Sequence, residues 1–175
     1  EKADLDRIGV IIGTGIGGIQ TLENEHGVYS QRGQRRVSPF FVPRFIPNIA
    51  SGNLAIKFGF KGPNHTVISA CASGTDAIGC AARTIQYGDA DIMITGGSEA
   101  SITGLTISGF ANIKALSTRN DSPESASRPF DLERDGFVLG EGAATLVLEE
   151  EEHAKKRNAP ILGELAGYGA TDDAY

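Results

Sequence analysis

The chain has 175 residues, of which 40% are hydrophobic and 22% charged, and its formal net charge is -6. This apolar content suffices for a packed core, and the length suits one domain without an internal boundary. The acidic balance argues against a protein whose whole surface binds nucleic acid. No apolar run is long enough to span a bilayer, and residues 1–4 (EKAD) do not resemble a signal peptide. We therefore expect a cytoplasmic protein that binds neither nucleic acid nor membrane.

Predicted strands and helices alternate along the chain. The predicted strands are residues 7–12, 66–69, 91–95, 143–148 and 161–169, and the predicted helices are residues 19–29, 46–58, 72–87 and 149–157. Residues 38–43 and 117–135 are rich in proline and turn formers, which predicts loops. Because strands and helices alternate, the pattern favours an α/β fold with a partly parallel sheet.

The cysteines and histidines indicate neither a disulfide framework nor a metal site. Cys71 and Cys80 lie in one apolar stretch, which is typical of a protein from a reducing compartment. His26, His65 and His153 are scattered and have no metal-ligand spacing with the cysteines. We therefore expect no metal centre.

A glycine-rich turn, residues 13–18 (GTGIGG), follows the first predicted strand and fits the dinucleotide pattern G-x-G-x-x-G. After the predicted helix, however, residues 35–39 (RRVSP) stand where a nucleotide-binding domain has an apolar second strand. The acidic residue that binds a ribose at the end of such a strand is therefore missing as well. The pattern favours a tight turn that lines a pocket.

The most informative segment is residues 67–74 (VISACASG), in which a buried strand leads into a turn and a helix begins at Cys71. Free N–H groups at a helix start favour a thiolate, which is the nucleophile that attacks a thioester, and they can stabilise the resulting oxyanion. The small neighbours of Cys71 allow a substrate to approach. Position alone also leaves open a buried, inert cysteine. Cys80, in the middle of the helix, is predicted to belong to the core.

Six regions together resemble the β-ketoacyl-acyl carrier protein synthase family, and within it the elongating, long-chain type II enzyme. They are residues 13–18 (GTGIGG), 38–43 (SPFFVP), 69–74 (SACASG), 88–91 (GDAD), 115–120 (ALSTRN) and 128–137 (RPFDLERDGF). The resemblance implies a thiolase-like, layered α-β-α-β-α fold of two similar halves. The chain covers only part of the first half.

The resemblance also implies an activity, 3-oxoacyl-acyl carrier protein synthase. A fatty acyl group passes from acyl carrier protein to Cys71 and is condensed with malonyl-acyl carrier protein, with loss of carbon dioxide, in fatty acid elongation. No cofactor is implied. The partners implied are acyl- and malonyl-loaded acyl carrier protein and a second copy of the protein.

Seven positions match functional residues of that family. Cys71 falls on the nucleophile. Ile16 matches a residue that lines or blocks the acyl pocket, Phe110 matches a pocket-wall aromatic, and Phe41 matches an aromatic donated across the dimer. The matches to basic residues that bind the acidic carrier protein are Arg35, Arg36 and Lys114. The resemblance further places the predicted strand of residues 91–95 at the sheet edge that pairs in the dimer.

Two histidines and a lysine, which the family uses to decarboxylate the malonyl thioester, lie outside this sequence. None of the three histidines present matches them, so residues 1–175 alone are expected to be inactive. Two alternatives stay open: a non-catalytic structural or interaction fragment, and a thiolase-type enzyme that acts on coenzyme A thioesters.

Overall fold

The computed structural model describes residues 4–174, which form a four-stranded sheet flanked by helices. The strands are β1 (Ile8–Gly13), β2 (Asn64–Val67), β3 (Ile92–Glu99) and β4 (Gly142–Glu149). The helices are α1 (Ile19–Arg32), α2 (Phe41–Phe45), α3 (Ile49–Phe58), α4 (Ser73–Gln86), α5 (Gly104–Asn112) and α6 (Glu151–Lys156). Short 3-10 turns cover Leu5–Arg7, Gln34–Arg36, Ala70–Ala72 and Pro123–Ser125.

The sheet has the order β2-β1-β3-β4. Strand β1 runs parallel to both of its neighbours, whereas β4 is antiparallel to β3. The prediction of an α/β fold with a partly parallel sheet is therefore confirmed. The carboxyl ends of the three parallel strands share one edge of the sheet, where β1 ends at Gly13, β2 at Val67 and β3 at Glu99.

Helices cover both faces of the sheet. On one face, Ile11 and Met93 form the buried core with Ala77 and Ala81 of α4. The alternation of side chains along a strand turns Ile12 to the other face. There it lines a cavity of about 350 Å³ together with residues of α3. Helices α4 and α3 are thus separated by one layer of sheet.

Two helices are followed directly by a glycine with a positive φ. Gly33 follows α1 with a φ of +77°, and Gly59 follows α3 with a φ of +74° in the left-handed region. Glycine occupies this region without the steric cost that a Cβ brings.

The predicted strand at residues 161–169 is wrong. The structure assigns these residues to neither helix nor strand, and Leu162 is fully exposed. A strand forms only where a neighbouring strand takes up its backbone groups, and the described residues place none beside this segment. The predicted loop at residues 38–43 is wrong in its second half, because α2 begins at Phe41. Pro43 is tolerated there because the first helical turn leaves its N–H groups unpaired anyway.

The edge position expected for residues 91–95 is also wrong. Strand β3 lies between β1 and β4 and extends past its predicted end to Glu99. Among the described strands, those with a single neighbour are β2 and β4. No helix in residues 4–174 has the length and hydropathy needed to cross a membrane.

Candidate active site at the Cys71 turn

Cys71 lies in the turn that joins β2 to α4, at the carboxyl edge of the parallel strands. It is exposed, and its 3-10 turn, Ala70–Ala72, leads directly into α4. Ala70 has a φ of +50°. This left-handed conformation costs an L-residue about 1 kcal/mol, so surrounding contacts must hold it. The predicted placement of Cys71 at a helix start after a strand is confirmed.

The buried side chain of Ser73 stabilises this turn through two hydrogen bonds to its backbone. Ser73 is 3% exposed, and its hydroxyl accepts from the backbone N–H of Ser69 at 2.9 Å. The same hydroxyl donates to the carbonyl of Ala70 at 2.7 Å. Both residues that precede Cys71 are therefore held by one buried hydroxyl group.

Glycines let the start of α4 rest directly on the sheet. A Cβ at Gly13 would lie 2.1 Å from the carbonyl oxygen of Ser73, and a Cβ at Gly97 would lie 3.2 Å from the Cα of Gly74. Real Cβ atoms do not approach backbone at the first of these distances. Any side chain at Gly13 would therefore displace the turn that carries Cys71.

Glu99, at the end of β3, holds the turn after β1 against the Cys71 turn. Its carboxylate accepts from the hydroxyl of Thr14 at 3.1 Å and from the backbone N–H groups of Gly15 and Ile16 at 2.6 and 3.2 Å. A Cβ at Gly15 would lie 3.5 Å from the carbonyl oxygen of Ala70. The backbone of Ile16, which is half-buried, is therefore fixed by Glu99, and its expected role in the acyl pocket stays a prediction.

In the glycine-rich turn after β1, close packing against α2 accounts for the glycine at position 18. The backbone N–H of Gly18, which caps α1, donates to the carbonyl of Phe45 at 3.1 Å. A Cβ at Gly18 would lie 2.4 Å from the carbonyl oxygen of Arg44. Since α2 already occupies the place where a dinucleotide fold binds pyrophosphate, the structure supports the interpretation as a tight turn.

Asp76, on the first turn of α4, connects the Cys71 turn to the segment after α6. It accepts hydrogen bonds from the hydroxyl of Ser69 and, at 2.6 Å, from the hydroxyl of Tyr168. These bonds, with that of Ser69 the larger cause, hold the pKa of Asp76 below its ordinary value. The bond to the carboxylate raises the pKa of Tyr168.

Phe41 and Phe110 each pack against another aromatic ring. Phe41 stacks on Phe45, with ring centroids 5.5 Å apart. Phe110 meets Phe137 edge to face at 5.1 Å. Neither of these contacts involves Cys71, so the pocket roles expected for the two residues stay predictions.

The three expected carrier-protein residues are exposed. Arg35 and Arg36 lie in the 3-10 turn after α1. Lys114 lies beyond α5, on the rim of a cavity of about 790 Å³ that Arg128 and Arg134 also line. No contact in the described structure joins Lys114 to the arginine pair, so a single basic patch stays a prediction.

The other cysteine packs in the core, two of the histidines are exposed, and the third pairs with a carboxylate. Cys80 packs, partly buried, against the core cluster under α4, which confirms its predicted core position. His26 and His65 are exposed, and Nδ1 of His153 pairs with Glu149 at 2.5 Å. Residues 4–174 hold no cluster of three or more His, Cys, Asp or Glu that could bind a metal ion.

Sequence reasoning missed Glu99 and Asp76. Glu99 lies four residues beyond the predicted strand of residues 91–95, so no local pattern marks it. Asp76 looks like an ordinary acidic residue in the first turn of a helix, where such residues are common.

The chain matches the family model "Beta-ketoacyl synthase, N-terminal domain" over residues 1–154. It is 56% identical to 3-oxoacyl-(acyl-carrier-protein) synthase 2 of Coxiella burnetii, and 99% of the chain covers 42% of that protein. It is 51% identical to the mitochondrial 3-oxoacyl-(acyl-carrier-protein) synthase of Arabidopsis thaliana, with 100% of the chain covering 38% of that protein. The chain thus spans about two fifths of the length of these relatives.

Two solved structures are also similar. One is a type II PKS ketosynthase in complex with its acyl-carrier protein, with a TM-score of 0.93, 38% identity and coverage of 99% of this chain and 44% of that chain. The other is a β-ketoacyl synthase from Burkholderia phymatum, with a TM-score of 0.77, 38% identity and coverage of 88% of this chain and 38% of that chain.

Proposed function

The chain belongs to the β-ketoacyl synthase family, and on this premise we propose that the complete protein is a 3-oxoacyl-acyl carrier protein synthase of fatty acid elongation. Residues 1–175 form part of the first of two similar halves. The observation that carries the proposal is the exposed Cys71 at the start of α4, in a chain 56% identical to a protein of that name.

In the first step, Cys71 takes the acyl group. Its sulfur bonds to the acyl carbonyl carbon, the bond from that carbon to the carrier-protein sulfur breaks, and the proton lost by the Cys71 thiol passes to the departing thiolate. Backbone N–H groups at the start of α4 stabilise the oxyanion that forms during the attack. Cys71 is exposed and follows Ala70, which has the left-handed conformation.

In the second step, a malonyl thioester loses carbon dioxide, and its α-carbon attacks the acyl group on Cys71. The thiolate of Cys71 then leaves, and the product is two carbons longer. The groups that promote decarboxylation lie outside residues 1–175. Ile16, Phe110 and Phe41 line the acyl pocket, with Phe41 reaching it from a second copy.

The partners proposed are the acyl- and malonyl-loaded carrier protein and a second copy of the protein. The similar type II PKS structure is a ketosynthase with its acyl-carrier protein, which supports the first of these. For the second, β2 and β4 each leave one edge without a neighbour among the described strands. A cytoplasmic location stays a prediction, since one relative is named as mitochondrial.

The test is an assay of the complete protein with acyl- and malonyl-acyl carrier protein, in which carbon dioxide release and product length are followed. We expect a β-ketoacyl product two carbons longer. Replacing Cys71 by Ala should abolish it, whereas Cys80→Ala, the matched control, should not. Turnover that survives Cys71→Ala would refute the proposal, and a preference for coenzyme A thioesters would favour the thiolase alternative.

A further inference from the structure

The hydrogen bonds of Asp76 reach in two directions from the start of α4. One carboxylate oxygen accepts from Ser69, two residues before Cys71, and the other accepts from Tyr168, which is 92 residues away in the sequence. Both oxygens of one side chain thus have a defined donor, and the two donors belong to different parts of the fold.

On the side of the nucleophile, Asp76 holds the residue that precedes the strained turn. Ser69 is followed by Ala70, whose φ of +50° has to be maintained by its surroundings. Ser73 fixes the backbone of Ser69 and Ala70 from within. Asp76 fixes the side chain of Ser69, so the turn is held by two independent sets of hydrogen bonds.

Tyr168, the second donor to Asp76, packs its ring against α4. Its ring lies over Gly79, where a Cβ would come within 2.4 Å of the ring. The guanidinium of Arg83 lies 5.1 Å from the ring centroid, in a cation–π contact. Because the ring has these contacts, the hydroxyl of Tyr168 is held in place to donate to Asp76.

The lowered pKa of Asp76 agrees with these two hydrogen bonds to its carboxylate. The hydrogen bonds from Ser69 and Tyr168 hold the pKa of Asp76 below its ordinary value of 3.8, so the side chain is a carboxylate at neutral pH. As a carboxylate it can only accept hydrogen bonds. Removal of either donor leaves one oxygen unpaired and frees the side chain to change rotamer.

We propose that Asp76 is a positioning residue for Cys71, and that Tyr168 holds it in the rotamer that supports the nucleophile turn. The inference rests on the proposed function, in which the thiol of Cys71 must meet an acyl carbonyl. Loss of the hydroxyl of Ser69 or Tyr168 relaxes the turn at Ala70 and moves the thiol from its attack position. Such a displacement acts on the rate of the chemical step.

The experiment compares variants of the complete protein that remove single donors. Tyr168→Phe keeps the ring on Gly79 and loses only the hydroxyl, and Ser69→Ala loses the other donor. We expect each to lower the single-turnover rate of acyl transfer to Cys71 by about tenfold while the KM for acyl carrier protein stays unchanged. Ser69→Thr, which keeps the hydroxyl, should restore the parent rate.

A double variant distinguishes a positioning role of Asp76 from a general loss of protein stability. Because both donors act through Asp76, Ser69→Ala combined with Tyr168→Phe should be no slower than either alone. Thr84→Val removes a hydroxyl bond elsewhere on α4 and serves as the control with the parent rate. Multiplicative effects, a loss that Ser69→Thr does not rescue, or lowered melting temperatures with unchanged rates would overturn the inference.

Alkylation of Cys71 by iodoacetamide gives a readout that needs no ketosynthase activity. The rates of alkylation should rank the variants in the same order as their rates of acyl transfer to Cys71. If the parent is alkylated at Cys71 but never acylated by the carrier protein, the proposed function fails, and the alkylation rates still decide whether Asp76 positions the thiol. Equal alkylation rates in all variants would contradict the positioning role.

Discussion

The two cysteines show how strongly local surroundings decide the role of one residue type. Cys71 is exposed at a helix start, in a turn held by Ser73. Cys80 lies within α4, the helix that follows the Cys71 turn, but it packs against the core and its carbonyl accepts from the hydroxyl of Thr84. An exposed thiol at a helix start is suited to nucleophilic attack, whereas a thiol in the core contributes mainly by packing.

Glu149 supports a prediction about stability and pH. Its carboxylate accepts two hydrogen bonds from Arg157, at 2.7 and 2.6 Å, and pairs with His153. These contacts, with Arg157 the larger cause, hold the pKa of Glu149 below its ordinary value of 4.5. A lowered folded-state pKa adds stability above the unfolded-state pKa, and this stability is lost as the pH falls through the folded-state value.

We therefore expect Glu149→Gln to lower the free energy of unfolding at pH 7 by about 1 kcal/mol. Denaturant unfolding of parent and variant at pH 7 and at pH values below 4.5 measures the effect. The difference between the two proteins should shrink in acid. A difference that is constant with pH would show that the charge of Glu149 is not involved.

At this scale, the sequence predicts Cys71 because its signal is local: small residues around a cysteine between a strand and a helix. Asp76 and Glu99 carry no comparable signal. The hydrogen bond from Gly15 to Glu99 joins residues 84 apart, and that from Tyr168 to Asp76 joins residues 92 apart. Such pairs follow from the packing of elements, which a local pattern does not contain.

Among the elements, the turn after β1 depends on one carboxylate. Glu99 takes hydrogen bonds from Thr14, Gly15 and Ile16, and the hydroxyl of Thr14 in turn accepts from the backbone N–H of Gly17. Without Glu99, these half-buried donors have no partner from β3. The turn that carries Ile16 should then loosen.

Glu99→Ala is expected to lower the free energy of unfolding by about 2 kcal/mol, because it leaves several backbone donors unpaired. Glu99→Gln, which keeps one oxygen acceptor, should cost less. Thermal and denaturant unfolding measure the loss, with the exposed Glu124→Gln as a neutral control. If Glu99→Ala is as stable as the control, Glu99 does not hold this turn.

Elements with a strong local pattern are predicted well, and those that depend on distant partners are not. Helix α4 and strand β1 match their predictions within one residue, since helical or β-branched apolar spacing marks them. Helix α5 escapes prediction because Gly104 and Gly109 weaken its pattern, although Thr103 provides an N-cap by accepting from Thr106. Residues 161–169 have strand-like composition, but no strand within residues 4–174 lies beside them.

At the scale of the whole molecule, the exposed pair Arg35 and Arg36 leads to a prediction about binding of the carrier protein. Arg35 and Arg36 are exposed on a chain of net charge -6, and we expect them to form a local positive site for an acidic partner. Replacing both by Glu should weaken the apparent affinity for acyl carrier protein by about tenfold or more, with a strong dependence on salt.

The rate on a small neutral thioester should be unchanged in that double variant, and Lys156→Glu on α6 serves as the matched control of equal charge change per site. Steady-state kinetics at two ionic strengths give both values. An equal loss on both substrates would indicate a packing role for the arginines, and no loss on either would indicate solvated surface.

The prediction of a dimer starts from β2 and β4, which each have a single neighbour among the described strands. A strand edge without a neighbour readily pairs with another strand, and a second copy of the protein is the usual partner. We expect light scattering to show a dimer of the complete protein at micromolar concentration. A stable monomer would contradict the proposed contribution of Phe41 to the pocket of a neighbouring copy.

Acyl transfer to Cys71 is the central claim, and mass spectrometry tests it most directly. The complete protein is incubated with acyl-loaded carrier protein alone, so that no malonyl thioester removes the acyl group, and its peptides are mapped. We expect an acyl adduct on the peptide that contains Cys71, with Cys80 unmodified. An adduct on Cys80 with Cys71 free, or no adduct on either cysteine while the carrier protein is consumed, would contradict it.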